Sequence, residues 1–402
     1  MTAVAPTVRG PATAAWLTQG FRPFFLAASL WAAIAIAIWI ASLNGLVTLA
    51  SRFDPLSWHI HEMLFGFVMA AVAGFLLTAI PNWTGRTPVK GLPLAALVGL
   101  WLLGRIVCMV SAAVPAWLAI AADLAFPAAL IAVVGREIIG GRHWRNLPML
   151  APATVLGVAN LLMHLETDGV APASGLGWRL GIGAVLVFVS VIGGRITPTF
   201  TQNWLVKRGD TRGPLKPDWV DGAALGGLHA GLFGWAFFPH ARAVGAVLVM
   251  GAGFNLWRLL RWRGADARSE PLLAMLHIGY AWLVLGAALL GLSVIDPAFP
   301  MTASIHALTV GAMGAMILAV MTRASRGHTG RILSADRTTK VIYGLVAGAA
   351  AVRVAAPFLG VFVAATLALA AALWIAAFAL FAVAYGPMLV KPRLDDQRPI
   401  RQ

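Results

Sequence analysis

Histidine is the residue type in this chain best suited to chemistry, and the densest cluster of candidate ligands is Trp58-His59-Ile60-His61-Glu62-Met63. On an α-helix successive residues turn by about 100°, so His59 and His61 point roughly 200° apart and are expected to serve different sites. His59 and Glu62, three apart, share a face. Glu62 is therefore expected to orient His59 from behind, because a ligating imidazole usually donates its other N–H to a carboxylate or carbonyl. The plainer alternative is an ion pair between Glu62 and a histidine that stabilises a helix start. The spacing differs from the His-Glu-x-x-His of zinc hydrolases.

The single cysteine, Cys108, excludes an intrachain disulfide, a Cys-x-x-Cys-His haem attachment and a Cys-rich zinc or iron–sulfur site. Any haem is then noncovalent and held by His or Met, as in a b-type centre, and imidazole also suits copper. Neither a phosphate-binding Gly-x-x-x-x-Gly-Lys-[Ser/Thr] nor a dinucleotide-binding Gly-x-Gly-x-x-Gly opening a βα unit is present, which argues against an ATP-driven or dinucleotide enzyme.

The elements that must position these side chains follow from composition. The chain is 60% hydrophobic and 11% charged, yet 30 Lys and Arg against 15 Asp and Glu leave a net charge of +15. A soluble globular protein carries about a quarter of its residues charged. A nucleic-acid partner would explain the charge but not the apolar excess, and none is expected. A polytopic membrane protein explains both. With about 20 apolar residues needed per span, the sequence predicts an all-α fold of twelve transmembrane helices in one domain over 1–402. They lie near 24–43, 56–81, 92–112, 115–134, 147–164, 180–200, 219–238, 241–260, 272–293, 301–322, 340–359 and 362–386. The first residues lack a compact signal-peptide pattern, so the first apolar run is expected to remain as a span.

Lys and Arg should collect in alternate loops. With a cytoplasmic N-terminus, 24 of the 30 fall on that side, Arg9, Arg398 and Arg401 among them, and only Arg52, Arg179 and Arg242 on the other. Both termini are therefore predicted to be cytoplasmic, with Arg22 snorkelling at the inner surface. Three arginines remain inside spans: Arg105, Arg195 and Arg353. Guanidinium pairs readily with carboxylate, so these three are candidates to neutralise haem propionates. A pair with Asp123, the one acidic residue deep in a span, would account for one of them.

The same topology sorts the nine histidines. His59, His61 and His306 lie near the outer ends of spans two and ten, and His164 ends span five at the outer face. His229 is midway through span seven, and His277 lies at the inner end of span nine. His143, His240 and His328 fall in loops. Ionisable groups inside a bilayer are costly and usually line a cavity, pair or bind something.

An internal offset of 245 aligns span two with span ten, giving nine identities over the 32 positions 55–86. His61 meets His306, Gly66 meets Gly311, and Thr84-Gly85-Arg86 meets Thr329-Gly330-Arg331. Asn82-Trp83 and Asn203-Trp204 hint at a third copy ending span six, which would give three four-helix units. His61 and His306 are then expected to face each other across one haem, with His229 and His59 as candidates for a second metal. His164 and His277 complete the set of candidate metal ligands.

On these residues the chain resembles the NnrS family of bacterial membrane proteins over nearly its full length. The motifs that carry the resemblance are Gly20-Phe-Arg-Pro-Phe-Phe25, Trp58-His-Ile-His-Glu-Met-Leu-Phe-Gly66, Gly74-Phe-Leu-Leu-Thr-Ala-Ile-Pro-Asn-Trp-Thr-Gly-Arg86 and Arg323-Ala-Ser-Arg-Gly-His-Thr-Gly-Arg331. The resemblance implies a twelve-helix inner-membrane protein that contains haem and copper and is linked to nitric oxide metabolism and nitrosative-stress resistance. His59, His61 and His306 match family histidines. The helix count and outer-side histidines are also similar to the haem–copper oxidase superfamily in architecture, but no two histidines are adjacent here, so a full binuclear centre of that kind is not expected.

Three readings of function follow. In the first, a haem- and copper-bearing protein binds nitric oxide that arrives through membrane lipid, and any reduction draws electrons from a respiratory partner. The second is a secondary transporter with helices interrupted near Gly193-Gly194 and Pro198. The third is a sensor or assembly factor that handles haem or copper for respiratory enzymes.

Overall fold

The computed structural model describes residues 14–171 and 174–394, so Arg9, Arg398 and Arg401 lie outside the described residues. Helices make up most of the described residues, with no strand among them. Eleven are long and apolar enough to cross a membrane: α1 (Phe21–Leu43), α2 (Pro55–Thr84), α3 (Leu92–Met109), α4 (Ala116–Gly140), α5 (Trp144–Thr167), α6 (Leu176–Val206), α8 (Arg242–Leu260), α9 (Pro271–Ile295), α10 (Met301–His328), α11 (Arg337–Phe358) and α12 (Gly360–Val390). This is an all-α polytopic membrane protein.

The segment expected to be the seventh span forms α7 (Trp219–Phe237), a helix of 19 residues that is less apolar than its neighbours. Asp221, His229 and a run of glycines dilute it. Polar contacts hold α7 against α8 and α9. Asp218 and Asp221 form a capping box at its start, and Asp221 accepts from Arg258 Nε at 2.7 Å. Asn255 of α8 donates to the Ala224 carbonyl at 2.7 Å and accepts from Tyr280 of α9 at 2.7 Å.

Most helices pack on their neighbours in sequence, and α12 returns to α1 and closes the bundle. Arg22 fastens that closure. It is 4% exposed and donates to the Leu389 and Lys391 carbonyls at 3.1 and 2.6 Å, capping α12 where the sequence suggested a snorkelling side chain. Three helices are inner ones. The most apolar stretch is 72% buried in both α2 and α6 and 67% in α10, against 56% or less in every other span. These three also share a local feature, a π-helical segment at Glu62–Val68, Val189–Gly193 and Ala307–Gly314. The segments in α2 and α10 begin 245 residues apart, the offset at which the two spans align. A π-turn widens the helix and frees a backbone carbonyl, and such turns often mark functional sites. The indole of Trp101 takes up the Gly66 carbonyl at 2.9 Å.

Other helices meet through small residues, the usual device where lipid supplies no hydrophobic drive to association. A Cβ on Gly251 of α8 would lie 2.8 Å from the backbone of Gly227 on α7. Gly251→Val should therefore push α7 away and cost on the order of 1–3 kcal/mol. The lowered midpoint would be read by thermal unfolding of detergent-purified protein, with the exposed Gly253→Val as an unaffected control, since nothing lies near a Cβ there.

Candidate metal centre

Two sites form around the histidines of α2, one on each side of the helix. The first is a buried polar cluster. His61 ends the α-helical first part of α2, whose start is set by Asp54 accepting from Leu56 and Ser57 N–H with Pro55 at the first helical position. Glu62 follows at the start of the π segment, and both residues are 0% exposed. Arg105 of α3 donates one guanidinium nitrogen to Glu62 at 2.6 Å and the other to Asp123 of α4. Trp31 of α1 also donates to Glu62, at 2.8 Å. His61 lies 3.2 Å from Glu62 through Nδ1. Its Nε2 lies 2.8 Å from Asn160 Oδ1 and 3.1 Å from Asp123 Oδ2. Asn160 and His164, both on α5, reach the same Asp123 oxygen at 2.8 and 3.1 Å.

Five helices thus meet on two carboxylates, and close backbone approach makes this possible. A Cβ on Gly66 would fall 2.5 Å from the Trp31 indole nitrogen and 2.8 Å from Glu62, and one on Gly104 would fall 2.7 Å from Asp123. Potential ligand atoms of His61, Cys108, Asp123 and His164 all lie within 4.8 Å of one another, and all four residues are buried. This is a donor set that fits a metal ion.

The second site is a cavity of about 360 Å³ between α2, α10, α11 and α12, lined by His59, His306 and Arg353 among largely apolar neighbours that include Trp39, Met63 and Trp374. That volume is within the usual range for a small-molecule or cofactor pocket. His59 stacks on Trp39 with ring centroids 4.1 Å apart, and its buried Nδ1 has no hydrogen-bond partner. His306 Nδ1 lies 2.7 Å from the Thr302 carbonyl. A carbonyl only accepts, so Nδ1 carries the proton and Nε2 keeps the lone pair.

The two sites rearrange the set expected from sequence. His59 and His61 do part to different sites, as their spacing requires. His306, however, shares its cavity with His59, while His61 sits among carboxylates, so the expected His61–His306 pair across one haem does not form. Glu62 contacts His61, Arg105 and Trp31 and does not orient His59. Arg105 is taken by Glu62 and Asp123, which leaves it no propionate role. Arg353 does line a histidine cavity. Arg195 lines a different one near the opposite end of α6. His229 pairs with Ser190 at 2.8 Å and His277 with Thr201 at 3.0 Å, each remote from both sites. His164 joins His61. Sequence reasoning missed Cys108 and Asn160 as members of the cluster. The signal for Cys108 was its place three residues after Arg105, on the same helix face; Asn160 is likewise four residues before His164.

The sequence profile described as NnrS protein matches residues 15–393. The chain belongs to the NnrS family. No curated protein matches it. For this NnrS family member, membership and the His/Cys/Asp group together fit a metal-binding membrane protein.

The cluster also yields a stability test. Replacing one member of a buried ion pair strands the other charge at a cost of about 3–5 kcal/mol. Arg105→Met leaves Glu62 and Asp123 buried without their common cation and should cost that much. Asp123→Asn leaves the Glu62–Arg105 pair intact and should cost clearly less. Thermal unfolding of the two variants side by side checks the order, and equal midpoints would refute it.

Proposed function

We propose that this protein is a haem- and copper-binding protein of the bacterial inner membrane that acts in nitric oxide metabolism and nitrosative-stress resistance, with both termini cytoplasmic. The observation that carries the reading is the cavity of His59, His306 and Arg353. A buried imidazole nitrogen without a partner is costly in a protein interior and is suited to ligation. His59 and His306 would hold haem b, and Arg353 would take a propionate. When bound, haem would supply a redox-active iron, which nitric oxide could reach only in exchange for one of the two imidazoles. Thr302 fixes the His306 tautomer through its carbonyl, and Trp39 fixes the plane of the His59 ring. The apolar wall admits a small apolar gas from the lipid and keeps water out.

Charge counting supports copper in the other site. Glu62 and Asp123 carry two negative charges against one on Arg105, so one negative charge remains buried. Without a metal, a proton on His61 would neutralise it. With Cys108 ligating as its thiolate the balance is −2, which a divalent copper ion would neutralise, and imidazole and thiolate donors both suit copper. His61 and His164 would then exchange their contacts with Asp123 for ligation. Reduction of nitric oxide would draw its electrons from a respiratory partner.

The competing readings fit less well. Transport through interrupted helices predicts a break near Gly193-Gly194, but α6 runs through its π segment without one. Delivery of copper to other enzymes needs ligands that a partner can reach, and His61, Cys108 and His164 are buried.

Purified, fully matured protein should show a Soret band and contain copper. His59→Ala and His306→Ala should each abolish or strongly reduce the haem band while copper is retained. Cys108→Ser and His164→Ala should lower copper by elemental analysis while the Soret band persists. Absence of haem from matured wild-type protein would overturn the reading.

A further inference from the structure

A second cavity, the one that Arg195 lines, lies near the far ends of α2, α6 and α10, where the Lys- and Arg-rich loops begin. It has a volume of about 480 Å³ and is lined by Arg195, Arg323 and His328 together with aromatic residues such as Phe75, Trp83 and Phe200. Three motifs that neither metal site uses converge on it: Phe25 from the first, Thr78, Asn82 and Trp83 from the third, and Arg323 and His328 from the fourth. No Asp or Glu lines it. The Arg195 guanidinium has no acceptor among the described residues. Arg323 stacks over the Phe200 ring at 4.1 Å. The carboxylate whose charge reaches Arg323, Glu270, caps α9 by accepting from Leu272. The His328 ring packs against Phe21, with centroids 5.4 Å apart.

Arg195 is exposed at the mouth of the chamber and Arg323 is half-buried within it. No carboxylate lines the chamber to pair with either, and their planar donor pattern suits the carboxylate or phosphate of a ligand. The chamber also continues inward. A small apolar cavity of about 70 Å³ shares Phe25, Phe75, Ile192 and Val320 with it and reaches Met316 and Met321. At its other end it shares Val68 with the His59–His306 cavity.

We propose that this chamber is a binding site for an amphipathic anion, whose carboxylate or phosphate head is held by Arg195 and Arg323 and whose apolar body lies along Phe75, Ile192 and Val320 towards the middle of the bundle. The proposal does not depend on whether haem or copper is bound elsewhere.

Native mass spectrometry of the full-length protein in a nonionic detergent tests it. Dodecyl phosphate and dodecanoate should each bind at one equivalent, and inorganic phosphate at least about tenfold more weakly, because it lacks the apolar body. Arg195→Gln combined with Arg323→Gln should weaken dodecyl phosphate by at least about tenfold, whereas Arg208→Gln, on the same face but stacked on Trp204, should not. Dodecyltrimethylammonium tests the wild type without any variant. If it binds as tightly as dodecyl phosphate, or if the double variant binds unchanged, the proposal is overturned. Competition by phosphatidylglycerol in nanodiscs would identify a bilayer lipid as the natural source, and competition by single-chain amphiphiles alone would identify a free compound of the same chemistry.

Discussion

The contact on which the structure depends is the double ion pair of Arg105 with Glu62 and Asp123. Two carboxylates buried among membrane helices repel each other and lose their hydration, so they persist only where a cation and hydrogen-bond donors reach both. One guanidinium has the forked geometry to do that. Around it, Trp31, His61, Asn160 and His164 satisfy the remaining oxygens. These residues come from α1, α2, α3, α4 and α5, so the network fixes how the first five helices stand relative to one another. It also fixes the rotation of α2, and with it the direction in which His59 points.

From that rotation the two histidine environments follow. A helix that turns His61 and Glu62 into the ion network must turn His59 to the other side, against Trp39 and the cavity shared with α10 and α11. The π segment that begins at Glu62 eases this arrangement, because a widened turn lets backbone and side chains approach at Gly66 and leaves a carbonyl for Trp101. The corresponding segment in α10 starts directly after His306. One polar cluster and one mostly apolar cavity therefore flank a single helix: the first buries charge, and the second sets two histidines and an arginine among apolar walls.

Much of this is legible in the residues. Hydropathy and the few charges give a helical membrane protein, although counting apolar residues makes a twelfth span of the segment around Asp221 and His229, which is not among the eleven helices apolar enough to cross. The parting of His59 and His61 follows from helical geometry alone, and the costly intramembrane groups mark the right helices. Partner choice is less accessible. Nothing local says whether Arg105 meets a propionate or Asp123, whether Glu62 serves His59 or His61, or whether Arg22 reaches water or the end of α12. Those outcomes depend on how separate helices cross, from 18 residues apart for Arg105 and Asp123 to 367 for Arg22 and Leu389.

The sequence by itself therefore determined the class of fold, the helix faces and the set of residues too polar to be buried without purpose, because these depend on hydrophobicity and a fixed turn per residue. Only the tertiary structure decided which of those residues meet. It paired His306 with His59, drew Cys108 and Asn160 into the cluster around Asp123, and left Arg195 and Arg323 facing a chamber of their own, because ion pairing and ligation act over a few ångströms, and only packing brings distant helices that close.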